Sequence, residues 1–109
     1  MRRAQVFYRD VLAGQLDENE NGYSFTYDPS YLAVQGAEPI SLTMPLASTP
    51  YQSNVLFPFF DGLIPEGWLL DISVKNWKIN PNDRMGLLLA CCKDCFGAIG
   101  IIPINDEED

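Results

Sequence analysis

The sequence predicts an α+β fold in a single domain, with an antiparallel meander of about four to five strands and about three helices in the C-terminal half. Two patterns carry this prediction. Apolar and polar residues alternate through the first 28 positions, as half-buried strands require, whereas residues 57–79 read as a long helical region. A chain of 109 residues can bury a core without disulfides or metals. We assign residues 1–104 to the domain and residues 105–109 to an acidic tail.

Three strands are predicted before residue 29. Residues 3–9 alternate, and a tight turn near Arg9-Asp10 leads to a second strand over residues 11–16. Asn21-Gly22 follows, a pair that supplies positive φ in hairpin turns. The third strand then covers residues 23–28, which completes an antiparallel meander.

The middle of the chain contains shorter elements. Residues 29–34 can form a helical turn that Gly36 stops. Residues 39–45 are predicted as a fourth strand with a proline at each end, which suits a strand terminus or an edge. Residues 46–54 show no apolar period and are predicted to form a loop.

The central helical region, residues 57–79, contains both tryptophans. Pro58 and Pro65 are each tolerated in the first turn of a helix, so we expect two helices that divide near residue 64. A helical wheel places Trp68 and Ile72 opposite the apolar line that faces the core. Two interpretations of this second apolar line remain open. The sheet and the last helix can together cover both lines, or Trp68 can face a partner.

The C-terminal part is predicted to hold one buried helix and one strand. Asn80 and Pro81 supply an N-cap and a first-turn proline, and Asp83 is well placed against the helix dipole. Residues 84–92 are apolar nearly all round, which predicts a buried helix. Residues 97–102 are apolar as well, and we expect a central strand covered on both faces.

The charge of the chain narrows its possible partners. Fifteen acidic and seven basic side chains give a net charge of −8, which opposes binding to a phosphate backbone. No apolar stretch is long enough to span a membrane, and charges at Arg9 and Asp10 interrupt any signal-peptide core. We therefore expect a cytoplasmic protein that contacts neither nucleic acid nor membrane directly.

One residue type that many enzymes use, histidine, is missing. The sequence has no histidine, which is the commonest general base and the commonest transition-metal ligand. Asp61 and Glu66 flank Pro65 and form a possible acid pair, but the surrounding pattern is structural. Glycine-rich phosphate loops are absent as well. We predict no catalytic residue, no cofactor and no metal site, and therefore no enzyme.

The three cysteines allow a different interpretation. Cys92 and Cys95 have the spacing of a redox motif, next to Cys91. No thioredoxin-like alternation of elements surrounds them, and two thiolates are too few for structural zinc. Core thiols are the favoured interpretation, and a small thiol enzyme is the alternative.

Three motifs occur in order along the chain: PISLTMPL at residues 39–46, FFDGLIPEG at residues 59–67 and DCFGAIGIIP at residues 94–103. Together they resemble the N-terminal subdomain of the HipA-type serine/threonine kinase toxins. Ile64 and Met44 stand where the family pattern has leucine, and both departures are mild. HipA-like kinases continue into a part that holds the ATP site and the catalytic aspartate, whereas this sequence stops at NDEED.

The resemblance implies a function without catalysis. The family includes three-gene HipBST toxin–antitoxin systems, in which this subdomain is a separate small antitoxin, HipS. Its partners there are a shortened kinase toxin, HipT, and a helix-turn-helix protein, HipB. We expect an antitoxin that binds and inhibits a HipT-like kinase, with a HipB-like protein in a larger complex. The alternative is a structural N-terminal fragment of a full-length HipA-like kinase.

A subdomain separated from its kinase keeps an apolar face that a partner can cover. The predicted partner-binding residues follow Pro65, and Trp68 is expected to reach the mouth of the kinase cleft. The full set is Glu66, Gly67, Trp68, Leu69 and Ile72.

Overall fold

A computed structural model describes residues 2–64, 82–91 and 98–104. Within these ranges the chain forms one antiparallel sheet of five strands in the order β4-β3-β2-β1-β5, with three helices. The strands are β1 (Arg3–Tyr8), β2 (Val11–Asn19), β3 (Gly22–Tyr27), β4 (Tyr51–Ser53) and β5 (Ile99–Pro103). The helices are α1 (Pro29–Leu32), α2 (Pro58–Asp61) and α3 (Arg84–Cys91). The predicted α+β class is confirmed, although α1 lies in the N-terminal half.

The predicted meander is confirmed, and its two turns use different backbone solutions. Arg9 and Asp10 both have positive φ, 53° and 68°, as a two-residue turn of type I′ requires. In the second turn Gly22 has φ 138°, and the Asn21 N–H donates to Asn19 Oδ1 at 2.8 Å. A Cβ on Gly22 would lie 2.2 Å from the Ser53 carbonyl oxygen, so this glycine also allows β4 to approach.

The core lies on one face of the sheet, as alternation predicts. Leu16 pairs with Phe25, and Val6 pairs with Ile101, and all four side chains are fully buried. Phe60 of α2 packs on Phe25 with ring centroids 5.7 Å apart. The opposite face carries a polar row in which Gln15 is paired on both sides, with Gln5 and Thr26.

The prediction of a fourth strand over residues 39–45 was wrong. Those residues form a tight turn with one isolated bridge between Ser41 and Met44. The Tyr27 hydroxyl accepts from the Ile40 N–H at 3.1 Å and donates to the Met44 carbonyl. Because a side chain satisfies these backbone groups, the segment needs no strand partner. The fourth strand is β4, inside the predicted loop 46–54.

The predicted central position of the last strand was also wrong. Strand β5 pairs with β1 alone and lies at one end of the described sheet. Ile99 and Ile101 are buried on the core face, whereas Ile102 on the other face is 40% exposed. An apolar run predicts burial, but single exposed apolar side chains are common at protein surfaces.

Helix α3 begins at Arg84. Asp83 is its N-cap, since its Oδ1 accepts from the Gly86 N–H at 3.1 Å and its carbonyl accepts from the Leu87 N–H at 3.0 Å. The helix is buried along one side only: Met85, Leu87 and Leu88 are fully buried, whereas Ala90 is exposed. No helix among the described residues is long and apolar enough to cross a membrane.

Candidate functional site

The predicted partner-binding residues lie outside the described residues. These are Glu66, Gly67, Trp68, Leu69 and Ile72, and the predicted caps at Asn80 and Pro81 fall in the same gap. The cysteine pair Cys92 and Cys95 and the acidic tail lie outside as well. Their roles stay predictions. The structure does describe the residues that flank these gaps.

The chain leading to the predicted site is held on the core. Phe57 and Phe60 of the α2 region are buried, and Ile64, the last described residue before the gap, is 8% exposed. The Gly62 N–H donates to the Pro58 carbonyl at 2.9 Å, and the Ile64 N–H donates to the Asp61 carbonyl at 3.2 Å. This segment therefore reaches position 64 with its backbone bonded and its apolar side chains packed.

An ion pair joins the two borders of the gap. Arg84 Nε, at the start of α3, donates to Asp61 Oδ1, at the end of α2, at 2.6 Å. Positions 61 and 84 are thus in direct contact, although 22 residues separate them in the sequence. Asp61, one member of the possible acid pair, is therefore paired with the Arg84 guanidinium. This pairing suits a structural role better than proton transfer.

A second charged cluster ties the beginning of the chain to α3. The Arg2 guanidinium forms two bonds of 2.8 Å to Glu18 and two bonds of 2.7 and 2.9 Å to Asp83. Hydrogen bonding from Arg2 lowers the pKa of both carboxyls below their ordinary values. The same bonds raise the pKa of Arg2. The cluster is permanently ionised near neutral pH and binds β2 to the helix cap.

The described residues show no arrangement suited to a metal ion. No group of three or more His, Cys, Asp and Glu side chains comes together among them. No buried side-chain nitrogen or oxygen in this part of the chain lacks a hydrogen-bond partner.

Three tyrosine hydroxyls hold the backbone of residues 38–45. The Tyr27 hydroxyl accepts from the Ile40 N–H and donates to the Met44 carbonyl. The Tyr31 hydroxyl donates to the Glu38 carbonyl at 2.5 Å. The Tyr51 hydroxyl donates to the Pro45 carbonyl at 2.6 Å. The tyrosines come from β3, α1 and β4. We call residues Ser41–Met44 the Leu42 turn.

The side chains of the Leu42 turn and of the preceding Ile40 differ sharply in exposure. Ile40 and Met44 are buried at 6% and 3% exposure, whereas Leu42 is 94% exposed. Ser41 Oγ and Thr43 Oγ1 are 2.9 Å apart and bond each other across the turn. The turn thus presents one leucine to solvent from a backbone that neighbouring elements hold in place.

Sequence reasoning missed this surface, although the sequence contains a signal for it. Residues 39–60 contain no Asp, Glu, Lys or Arg, in a chain that is 20% charged. Such a run reads as core, but Leu42, Leu46 and Val55 within it are exposed at 94%, 36% and 62%. We call residues 39–60 the uncharged stretch.

A family model described as the HipA N-terminal domain matches residues 4–102. An uncharacterized protein of Haemophilus influenzae is 34% identical over 101 residues, which are 93% of this chain and 92% of that protein. The putative kinase Y4mE of Sinorhizobium fredii is 25% identical over 108 residues, 98% of this chain but 26% of that kinase.

Two solved structures are similar to the chain. The N-terminal domain of HipA toxin superposes with a TM-score of 0.75 and 31% identity, covering 98% of this chain and 96% of that one. A chain in the Shewanella oneidensis HipA, HipB and operator DNA complex superposes with a TM-score of 0.70 and 25% identity. That match covers 92% of this chain and 23% of the other.

Proposed function

This chain belongs to the family of HipA N-terminal domains, and on that premise we propose that it is an antitoxin of the HipS type. It binds a shortened HipA-like serine/threonine kinase toxin, HipT, and inhibits it by protein contact, without catalysis of its own.

The observation that carries this proposal is that the domain occurs in relatives of two sizes. The chain accounts for 92% of the Haemophilus influenzae protein, so in that relative the domain is nearly the whole protein. It accounts for 26% of the Sinorhizobium fredii putative kinase and 23% of the Shewanella oneidensis chain. In the longer relatives the matched domain is covalently joined to the remaining three quarters or so of the chain. A domain encoded apart from that remainder can act on it by non-covalent association.

The proposed inhibitory contact is the apolar patch after Pro65. Trp68, with Leu69 and Ile72 beside it, is proposed to enter the mouth of the kinase cleft and block closure or substrate access. The ion pair between Asp61 and Arg84 is compatible with this proposal, because it brings together two residues that flank the patch in the sequence. Aromatic anchors commonly dominate the binding energy of an interface.

Co-expression tests the function directly. The full chain is expressed with a HipT-like kinase, and growth and co-purification are measured together. We expect a stable complex and restored growth. Absence of both would contradict the antitoxin role and would favour a structural fragment of a longer HipA-like kinase.

Trp68→Ala tests the proposed contact residue. Loss of a buried aromatic anchor typically costs about 2 kcal/mol or more, so the Kd for the kinase should rise about 30-fold and toxicity should return. Val34→Ala is the control, since it trims a half-exposed valine in a different part of the chain. A Trp68→Ala protein that binds and neutralises like the control would contradict the assignment of this residue.

A HipB-like helix-turn-helix protein is proposed to join the assembly through the kinase. The Shewanella oneidensis structure contains HipA, HipB and operator DNA, and this chain covers 23% of the chain that it matches there. With a net charge of −8, direct contact of this chain with DNA is disfavoured.

A thiol enzyme based on Cys92 and Cys95 is the remaining alternative. Thiol labelling of the native protein separates the two ideas, because buried cysteines react only after unfolding. Rapid labelling of a low-pKa thiol in the folded chain would favour the enzyme.

A further inference from the structure

We infer that the Leu42 turn and the adjoining part of the uncharged stretch form a second contact surface for the kinase body, separate in sequence from the Trp68 patch. The inference rests on the proposed function, since it assigns a further surface to the same partner.

The exposure of Leu42 alone does not indicate a contact surface, because scattered apolar side chains are normal on protein surfaces. The way in which the turn is held distinguishes this position. Hydroxyls of Tyr27, Tyr31 and Tyr51 bond the backbone on both sides of the turn, and Ile40 and Met44 are buried beneath it. The backbone that carries this leucine is held in place before it meets a partner, so binding loses less backbone conformational entropy.

The stretch of sequence that contains Leu42 is depleted in charge, as interface centres are. At the 20% charged content of the chain, residues 39–60 would hold about four charged side chains, and they hold none. Depletion of charge, rather than apolar area alone, distinguishes the centre of protein interfaces from ordinary surface. Three of the six large apolar side chains that are exposed among the described residues belong to this stretch: Leu42, Leu46 and Val55.

The turn and the edge strand form one connected surface. The Tyr51 hydroxyl, from β4, reaches the Pro45 carbonyl at 2.6 Å, which joins the two segments directly. Strand β4 has only three residues and lies at one end of the described sheet. Edge strands commonly carry charges that prevent unwanted pairing, and this edge has none. An uncharged edge beside an exposed leucine suits a permanent protein partner.

The relatives indicate which partner. The family match spans residues 4–102 and therefore includes this surface. In the Sinorhizobium fredii and Shewanella oneidensis relatives, about three quarters of the chain lies outside the matched domain. We assign the Leu42 turn to the corresponding part of the separate kinase, through an apolar and uncharged pocket large enough for a leucine side chain.

The test compares single Asp substitutions in the full chain. Leu42→Asp and Val55→Asp place a charge within the proposed surface, whereas the control Val34→Asp places the same charge on a valine that is 49% exposed and outside it. Affinity for a catalytically inactivated HipT-like kinase is measured by calorimetry, and folding is checked by circular dichroism and thermal unfolding. All three variants should fold like wild type, because the replaced side chains are at least half exposed or nearly so.

We expect Leu42→Asp to raise the Kd at least about 30-fold and Leu42→Ala about tenfold, from the lost burial of a leucine side chain. Val34→Asp should bind within about twofold of wild type. If wild type binds and Leu42→Asp binds equally well, the second surface is wrong and the antitoxin role stands. If wild type does not bind, the proposed function fails, and this inference fails with it.

Sedimentation velocity tests whether a second copy of this chain, rather than the kinase, covers the surface. Wild type alone should be monomeric. A dimer that Leu42→Asp dissociates would assign this surface to a second copy of the chain and overturn its assignment to the kinase.

Discussion

Two regions of this molecule are held together by different polar groups. At one, the charged Arg2 side chain forms ion pairs with Glu18 and Asp83, and Asp83 also caps α3. At the other, the neutral hydroxyls of Tyr27 and Tyr51 bond backbone groups around the Leu42 turn. In the first region the charged side chains bond one another and stabilise the fold. The second is fixed through its backbone, so a side chain such as Leu42 is free for a partner.

The largest stability effect should come from Tyr27→Phe, which removes the most buried of the three hydroxyls. The Ile40 N–H and the Met44 carbonyl would both lose their partner, and an unsatisfied buried polar group costs about 1–3 kcal/mol. We expect a loss of about 2 kcal/mol in the free energy of unfolding, measured in urea, with faster amide exchange at residues 40–44.

Tyr23→Phe is the matched control for that change. Tyr23 lies on the same strand, and no hydrogen bond of its hydroxyl is found among the described residues. Equal losses for the two variants would mean that the Tyr27 hydroxyl does not hold the turn.

A smaller effect is expected from Arg2→Met. The side chains of Arg2 and Asp83 are 40% and 33% exposed, so solvent screening reduces the value of the pairs to about 1 kcal/mol for the cluster at neutral pH. Arg9→Met is the control, since the Arg9–Glu38 pair is longer, 4.0 Å, and more exposed.

The pH dependence separates the charged region from the neutral one. Arg2 lowers the pKa of Glu18 and Asp83 in the folded state, so their contribution is present above the unfolded pKa of about 4 and is lost as pH falls through the lower folded values. The gap between wild type and Arg2→Met should therefore close on acidification below about pH 4. The gap between wild type and Tyr27→Phe should persist there. Parallel closing of both gaps would argue against the distinction.

The smallest effect should come from Tyr51→Phe. Its bond to the Pro45 carbonyl is exposed, and water can replace the hydroxyl, so we expect about 0.5 kcal/mol or less in unfolding. Kinase affinity should fall by more than stability does, because the link between β4 and the turn is lost. Calorimetric titration of the kinase, beside urea unfolding of the same variant, measures both quantities. An unchanged Kd would weaken the role of β4 in the second surface.

Local sequence patterns predicted the sheet well and its borders poorly. Alternation at β1 and β3 and the turn at Arg9-Asp10 are intrinsic to short segments, and all three were confirmed. Residues 39–45 also have strand character, with prolines at both ends, yet they form a turn. The deciding group is the Tyr27 hydroxyl, twelve or more residues away in the sequence, and no local pattern contains such a contact.

The candidate site, like the sheet, was predictable from the sequence only in part. The uncharged run at residues 39–60 is visible in the sequence, but an apolar run predicts burial by default. Only the packing of Ile40 and Met44 inward leaves Leu42 outward, at 94% exposure. The Trp68 patch stays a prediction from a helical wheel and a family motif.

By itself, the sequence determined the α+β class, the antiparallel meander and the family motifs, because periodicity and turn chemistry act over a few residues. The tertiary structure alone decided the position of β5 at one end of the described sheet, the Asp83 cap on α3 and the outward Leu42. Each of these depends on a partner distant in the chain: β1 for the strand, Arg2 for the cap and three tyrosine hydroxyls for the turn. Long-range contacts select among local conformations that the sequence leaves similar in free energy.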